Sequence, residues 1–281
     1  MKAFVRRITS PSCCLRDCVL FLLCFLASIA AITGAPVKRI VSLAPSLTRN
    51  LIDMGAEGDL VGCTSYCQTN HSKAIVASAV TVNVEKVIAL KPDLVVTTAL
   101  TNGQTLATLR KFRLNVVVYP KVCSFEDICS QFIDLGRRAG RSARAMAVIQ
   151  QTRQQVDKLK GQQHKPLKLF FQIGSDPLFA VIPNTYMNDL IRFAGGRNIA
   201  ADLKRGSITR ETVLKRDPDV IFIATMGVVG VTEKKQWESI KALSAVKHKR
   251  VFLIDAYTAC MPCPVCFVQT LQTMTRLIRQ S

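Results

Sequence analysis

The 281-residue chain has few acidic residues, 19 Asp and Glu against 38 Lys and Arg, and only three histidines. The acidic deficit leaves a formal net charge of +19, a field that favours anionic ligands, acidic lipid head groups or polyanions. The basic residues are dispersed and not run together in blocks, which reads as a solvated basic surface. His71, His164 and His248 lie far apart and form no metal-ligand spacing, so they read as surface residues. No catalytic triad, paired-carboxylate site or phosphate-binding loop is present, and the glycines fall at turns, which argues against turnover. No apolar run reaches the roughly 20 residues that a confident membrane span requires.

The longest apolar run, Val19 to Ile32, follows a segment carrying Lys2, Arg6, Arg7 and Arg16 and leads into Thr33-Gly34-Ala35-Pro36. A basic start, a short apolar stretch and a small-residue end are the layout of a secretory signal. Residues 1–35 are therefore expected to be a signal peptide or N-terminal anchor, and the remainder an exported chain. Export argues against nucleic acid as a partner. Composition, with 49% hydrophobic residues, is that of a chain able to bury a substantial core.

Beyond the leader the pattern alternates. Arg39 to Leu43 is a short β-branched apolar run ending in the turn Ala44-Pro45-Ser46, and Leu47, Leu51, Ile52 and Met54 then fall at helical spacing up to Gly55. A second strand is predicted over Leu60 to Cys63. Helices are predicted over Val82 to Leu90 with Asn83 as N-cap, Gln104 to Phe112, Phe125 to Leu135, Arg141 to Lys160 and Val265 to Arg279. Strands are predicted over Leu94 to Thr97, Asn115 to Val118, Leu167 to Gln172 and Val220 to Ile223. Strands alternating with helices argue a mostly parallel sheet.

The second half repeats the first. Glu85, Val87, Pro92 and Asp93 recur 126 residues on as Glu211, Val213, Pro218 and Asp219, each set leading into an apolar strand. Two lobes of related architecture follow, joined by the long helix. The boundaries implied are 36–140 for an N-terminal α/β lobe, 141–161 for an interlobe helix and 162–281 for a C-terminal α/β lobe.

Three ordered segments carry a resemblance: Arg39-Ile40-Val41-Ser42-Leu43-Ala44-Pro45-Ser46-Leu47-Thr48, then Val61-Gly62-Cys63-Thr64-Ser65-Tyr66-Cys67, then Asn83-Val84-Glu85 running into Ala89-Leu90-Lys91-Pro92-Asp93-Leu94. The chain after the leader resembles the bacterial substrate-binding proteins of metal-chelate ABC importers, whose relatives carry cobalamin, haem and iron-siderophores. The resemblance implies an α/β fold of two Rossmann-like lobes joined by a single long helix, the class III periplasmic binding protein architecture. It implies a periplasmic monomer that delivers a metal chelate to an inner-membrane ABC permease, with no cofactor of its own. It also implies that Glu85 and Glu211, one per lobe, dock on the permease; independently, each carboxylate sits where a helix dipole favours an acid.

In open α/β sheets ligands bind outside the carboxyl ends of the strands. The loops predicted there nominate Ser46, Thr64, Ser65, Tyr66, Cys67, Thr98, Tyr119, Ser175, Met226, Tyr257 and Met261 as ligand contacts, with Tyr66, Tyr119 and Tyr257 offering rings to a macrocycle. Where many relatives carry a Pro-Gly-Pro or Pro-Ser-Pro run flanked by arginines, this chain has Cys260-Met261-Pro262-Cys263-Pro264-Val265-Cys266, and Arg49 stands where relatives commonly have Glu. Together with Cys67, the sulfurs of Cys260, Cys263 and Cys266 are a candidate set for a soft metal ion or iron-sulfur cluster, with Cys63, Cys123 and Cys129 further candidates. Disulfides are the other reading for an exported chain, and C-x-x-C at Cys263 and Cys266 leaves thiol-disulfide redox chemistry open.

Overall fold

The computed structural model describes residues 37–78, 81–160, 166–224 and 228–280; the predicted leader, His164 and Met226 lie outside them. Residues from Val37 onward form one compact unit. Its first half is a parallel five-stranded sheet in the order β3-β2-β1-β4-β5, built from β1 (Ile40–Ser42), β2 (Leu60–Thr64), β3 (Ala74–Ala77), β4 (Leu94–Thr98) and β5 (Val116–Tyr119). Helices α1 (Pro45–Asp53), α2 (Val84–Ala89) and α3 (Gly103–Lys111) are interleaved with these strands. Gly55, with φ at +76°, follows α1 in the left-handed region that other residues avoid, and lets the chain turn toward β2.

Two helices, α4 (Phe125–Arg138) and α5 (Ser142–Leu159), lead to the second half. A capping box from Ser124 and Asp127 starts α4. The two helices pack so closely that a Cβ on Gly136 would overlap the Ala145 methyl group. The second sheet runs β10-β9-β6-β7, with β8 pairing parallel to the start of β6. Its strands are β6 (Leu167–Ser175), β7 (Leu178–Ala180), β8 (Gly196–Asn198), β9 (Val220–Ile223) and β10 (Val251–Leu253). Only β7 is antiparallel, folding back on β6 as a hairpin. Helices α6 (Tyr186–Phe193), α7 (Arg210–Arg216), α8 (Val228–Ser239), α9 (Ser244–Lys247) and α10 (Ala256–Ala259) follow the strands, and α11 (Pro264–Arg279) closes the chain.

The predicted strands and helices over the repeat are observed with ends shifted by a few residues, and Asn83 is the N-cap of α2, accepting from the Lys86 amide at 2.8 Å. The repeat extends further than its sequence identity. Asp93 Oδ2 accepts from the Lys38 and Arg39 amides, both at 3.0 Å, at the start of β1, and Asp219 Oδ2 accepts from the Lys168 amide at 2.7 Å near the start of β6. Lys91 and Asp217, also 126 residues apart, both turn through φ of 44°. The Arg39 guanidinium bonds the Leu90 carbonyl at 2.8 Å, and Lys168 Nζ bonds the Arg216 carbonyl at 3.1 Å. Each half thus pins the C-terminus of its helix to the adjacent central strand with the same device.

One apolar core runs through both halves, from Ile40 and Phe132 to Phe171, Phe222 and Leu271. At its centre the rings of Phe125 (α4), Phe193 (α6) and Phe267 (α11) meet at centroid distances of 4.6 to 6.0 Å. The Phe125 amide adds a 2.9 Å bond to Asp189 on α6. Among the described residues no helix is long and apolar enough to cross a membrane.

Candidate ligand cleft

All parallel strands of a Rossmann-like sheet end on the same side, so the loops after β1, β2, β4, β6, β9 and β10 define two rims. They meet: the Tyr257 phenol at the start of α10, whose pKa burial raises, is near enough to the Gln68 backbone, just past β2, for that backbone to oppose the rise. On α1, Arg49 Nε bonds Asp53 at 2.9 Å, and Asp53 Oδ2 lies 3.8 Å from the Cys263 sulfur of the opposite half. Burial, the larger influence, raises the Asp53 pKa despite Arg49.

An open pocket of about 360 Å³ lies at the carboxyl ends of the second sheet, lined by Ile173, Gly174, Ser175, Ala224, Val229, Ala256 and Cys260. Of the predicted ligand contacts Ser175 is in that lining. Ser65 and Tyr66 are exposed on the opposing rim, Tyr66 at 60%, and Ser46 and Thr98 are half-buried at the ends of β1 and β4. Leu100, at 96% exposure, projects from the loop after β4; being apolar, it carries none of the polar-loop signal that nominated its neighbours. Val229 carries none either, lying six residues past the predicted strand Val220 to Ile223 at the start of α8. Among the described residues of the rims, the Arg49 guanidinium is paired with Asp53 and the Lys73 ammonium bonds the Glu57 carbonyl.

Four sequence expectations are corrected. Tyr119 is the last residue of β5, but its ring is buried and its hydroxyl donates to Asp134 at 3.0 Å, so it does not face a ligand. Burial and the Asp134 charge both raise its pKa. Met261 is 6% exposed, packed with Cys263 and Cys266, and Thr64, at 3% exposed, spends its hydroxyl on the Cys67 sulfur at 3.2 Å. The four-sulfur site is not assembled either. Cys263 and Cys266 are joined as a disulfide at the start of α11, where Cys263 Sγ also accepts the Cys266 amide at 3.0 Å, and Cys260 is exposed. Sulfurs bonded to each other are not thiolate ligands, and among the described residues no group of three or more His, Cys, Asp or Glu could hold a metal ion.

The Cys67 sulfur sits instead among hydroxyls, 3.1 Å from Thr48 Oγ1 of α1 and 3.2 Å from Thr64 Oγ1 of β2. The Cys63 thiol lies near it as well. Its interaction with Cys63, first, and the two hydroxyls lower the Cys67 pKa to about 6, and the same interaction raises that of Cys63.

Glu85 and Glu211 are both exposed in the first turns of α2 and α7. Backbone hydrogen bonding and the Thr209 hydroxyl lower the Glu211 pKa. Beside Glu211, Arg210 reaches inward to buried Glu233 at 2.7 Å and lies over the Trp237 ring; Glu233 also accepts from Gln172 at 2.7 Å.

The sequence pattern of the family described as "Periplasmic binding protein" matches residues 40–258. The chain is 30% identical over 207 residues to a vitamin B12-binding protein of Yersinia pestis, spanning 71% of this chain and 74% of that one. It is 28% identical over 233 residues to a cobalamin-binding protein of Halobacterium salinarum, 78% of this chain but 61% of the relative, so it spans less than two thirds of that protein's length. The periplasmic vitamin B12-binding protein of Vibrio cholerae superposes with a TM-score of 0.73 at 23% identity, over 87% of this chain and 98% of that one, a likeness of fold. With the family pattern extending through both sheets and the two rims that face each other, the chain belongs to the periplasmic binding protein family.

Proposed function

We propose that this chain is the exported substrate-binding component of an ABC importer, taking a metal chelate into the cleft between its two halves and delivering it to an inner-membrane permease. The observation that carries this is a family match through both sheets together with a pocket whose lining residues are apolar or uncharged. Tyr66, Leu100 and the pocket floor at Ala224, Val229 and Ala256 suit the apolar face of a large macrocycle, and Ser46, Ser65, Thr98, Ser175 and Tyr257 supply hydrogen bonds at its edge. A corrinoid fits this rim better than an anionic iron chelate, because a free cation cluster is what an anionic chelate would require. The named functions of the Yersinia and Halobacterium relatives agree with that choice.

The protein acts by binding without turnover and as a monomer. Glu85 and Glu211, one exposed carboxylate on each half, meet basic pockets on the permease; two separated charge pairs fix orientation as well as rate of encounter. The test is an absorption titration of the purified protein with cobalamin, haemin and a ferric chelate in turn. Saturable, stoichiometric perturbation of the cobalamin spectrum with weaker effects of the other two is expected; no perturbation by any of the three overturns the reading.

A further inference from the structure

Cys63 and Cys67 are both free thiols. Cys63 is inside β2, 1% exposed and packed in the core, whereas Cys67, four residues on, is half-buried at the strand's carboxyl end. A turn closed by the Cys67 amide and the Thr64 carbonyl at 3.1 Å folds Cys67 back toward the core that holds Cys63, and the two sulfurs lie close enough to shift each other's pKa. Two hydroxyls from separate elements, Thr48 and Thr64, also converge on the Cys67 sulfur. One sulfur is reachable and surrounded by donors that stabilise an anion; the other is enclosed and kept as a neutral donor. That division between nucleophile and resolving thiol is what two-step disulfide exchange requires.

We propose that Cys63 and Cys67 are a redox-active dithiol, with Cys67 the attacking thiolate and Cys63 the resolving thiol, closing to an intramolecular disulfide at the expense of a small-molecule disulfide. In the first step the Cys67 thiolate attacks one sulfur of the oxidant RSSR, forming a Cys67–S–SR mixed disulfide and expelling RS⁻. In the second, Cys63 loses its proton to that thiolate or to solvent and attacks the Cys67 sulfur, forming Cys63–Cys67 and releasing the second RS⁻. Two protein thiols are oxidised and one RSSR is reduced to two RSH, with no other reactant. The lowered pKa of Cys67 supports the first step. The exchange is stoichiometric and stands apart from the chelate reading. It places redox chemistry on the loop that approaches Tyr257, whereas the Cys263–Cys266 pair, buried at 0% and 2%, offers an external disulfide no approach.

The test uses the full chain, reduced mildly and exposed to glutathione disulfide at pH 7, quenched with an alkylating reagent and mapped by peptide mass spectrometry. Cys67 reacts about two- to threefold faster than an ordinary thiol, its larger thiolate fraction outweighing its lower intrinsic nucleophilicity, and exposed Cys123 is the internal comparison. The wild type ends with Cys63 linked to Cys67 and no lasting glutathione on either. Cys63→Ala retains glutathione on Cys67, and Cys67→Ser leaves Cys63 a free thiol. Cys67 reacting no faster than Cys123, or a Cys63→Ala protein that keeps no adduct while remaining folded by circular dichroism, overturns the proposal. The rate comparison in the wild type needs no variant and decides the matter even if Cys63→Ala fails to fold.

Discussion

At the scale of single residues, the Cys67 sulfur has the most unusual environment of the rim. Its donors come from three side chains, and the Cys63 thiol is the strongest influence among them. A lowered thiol pKa means that the reactive anion is present above the folded value and lost as pH falls through it. Alkylation of Cys67 by iodoacetamide is therefore expected to be half-maximal near pH about 6 and flat above it, where an ordinary thiol is still gaining reactivity toward pH about 8.5. Removing the Cys63 donor as Cys63→Ala moves the midpoint upward, and Thr48→Val moves it upward by less. A profile that rises only above neutral pH in the wild type contradicts the geometry. The phenylalanine seam offers a stability counterpart. Phe267 is 1% exposed and touches rings from both neighbouring helices, so Phe267→Ala should cost about 3–5 kcal/mol in chemical denaturation.

At the scale of elements, the paired aspartates show how a short sequence match encodes a structural device. Asp93 and Asp219 each satisfy amides near the start of the neighbouring central strand, where the ladder leaves donors open. Asp93→Ala and Asp219→Ala should each lower the unfolding free energy by about 1–2 kcal/mol, with similar values in the two halves, measured by urea denaturation. Four matched residues revealed this repeat because the first-turn acid, the buried valine, the turn and the strand entry recur with the same residue types. What lay between was not legible. The strands β3, β7 and β8 are only three or four residues long and are specified by their neighbours on β2 and β6 more than by their own periodicity. Helix α8 begins Val-Val-Gly-Val, a β-branched opening that argues strand until Trp237 and Glu233 are seen packed on β6 through Gln172. The site followed the same rule. Strand-end polarity pointed to Ser175, which lines the pocket, and to Tyr66, which is exposed, but side-chain direction at the end of β5 turned Tyr119 inward to Asp134, and no spacing rule marks Cys63 as the partner of Cys67.

At the scale of the whole molecule, the internal symmetry supplies the last prediction. Glu85 and Glu211 occupy equivalent first turns on the two halves, are exposed, and each follows a capped N-terminus, at Asn83 and Thr209. An acid there gains from the helix dipole, but that gain is indifferent to whether both halves carry one. A docking role is not indifferent, because a single charge pair leaves rotation about the contact free while two pairs set apart remove it. Glu85→Gln and Glu211→Gln should each reduce ligand uptake through the reconstituted permease about tenfold at low salt, and the double variant should abolish it, while the affinity of the isolated protein for its ligand stays unchanged. Raising ionic strength should slow the wild type toward the single variants, since exposed charge pairs are screened within about 10 Å at 0.1 M salt. If the carboxylates serve only their helices, uptake by the double variant equals that of the wild type and the small cost appears in thermal unfolding instead, an outcome that would remove the docking assignment from both residues at once.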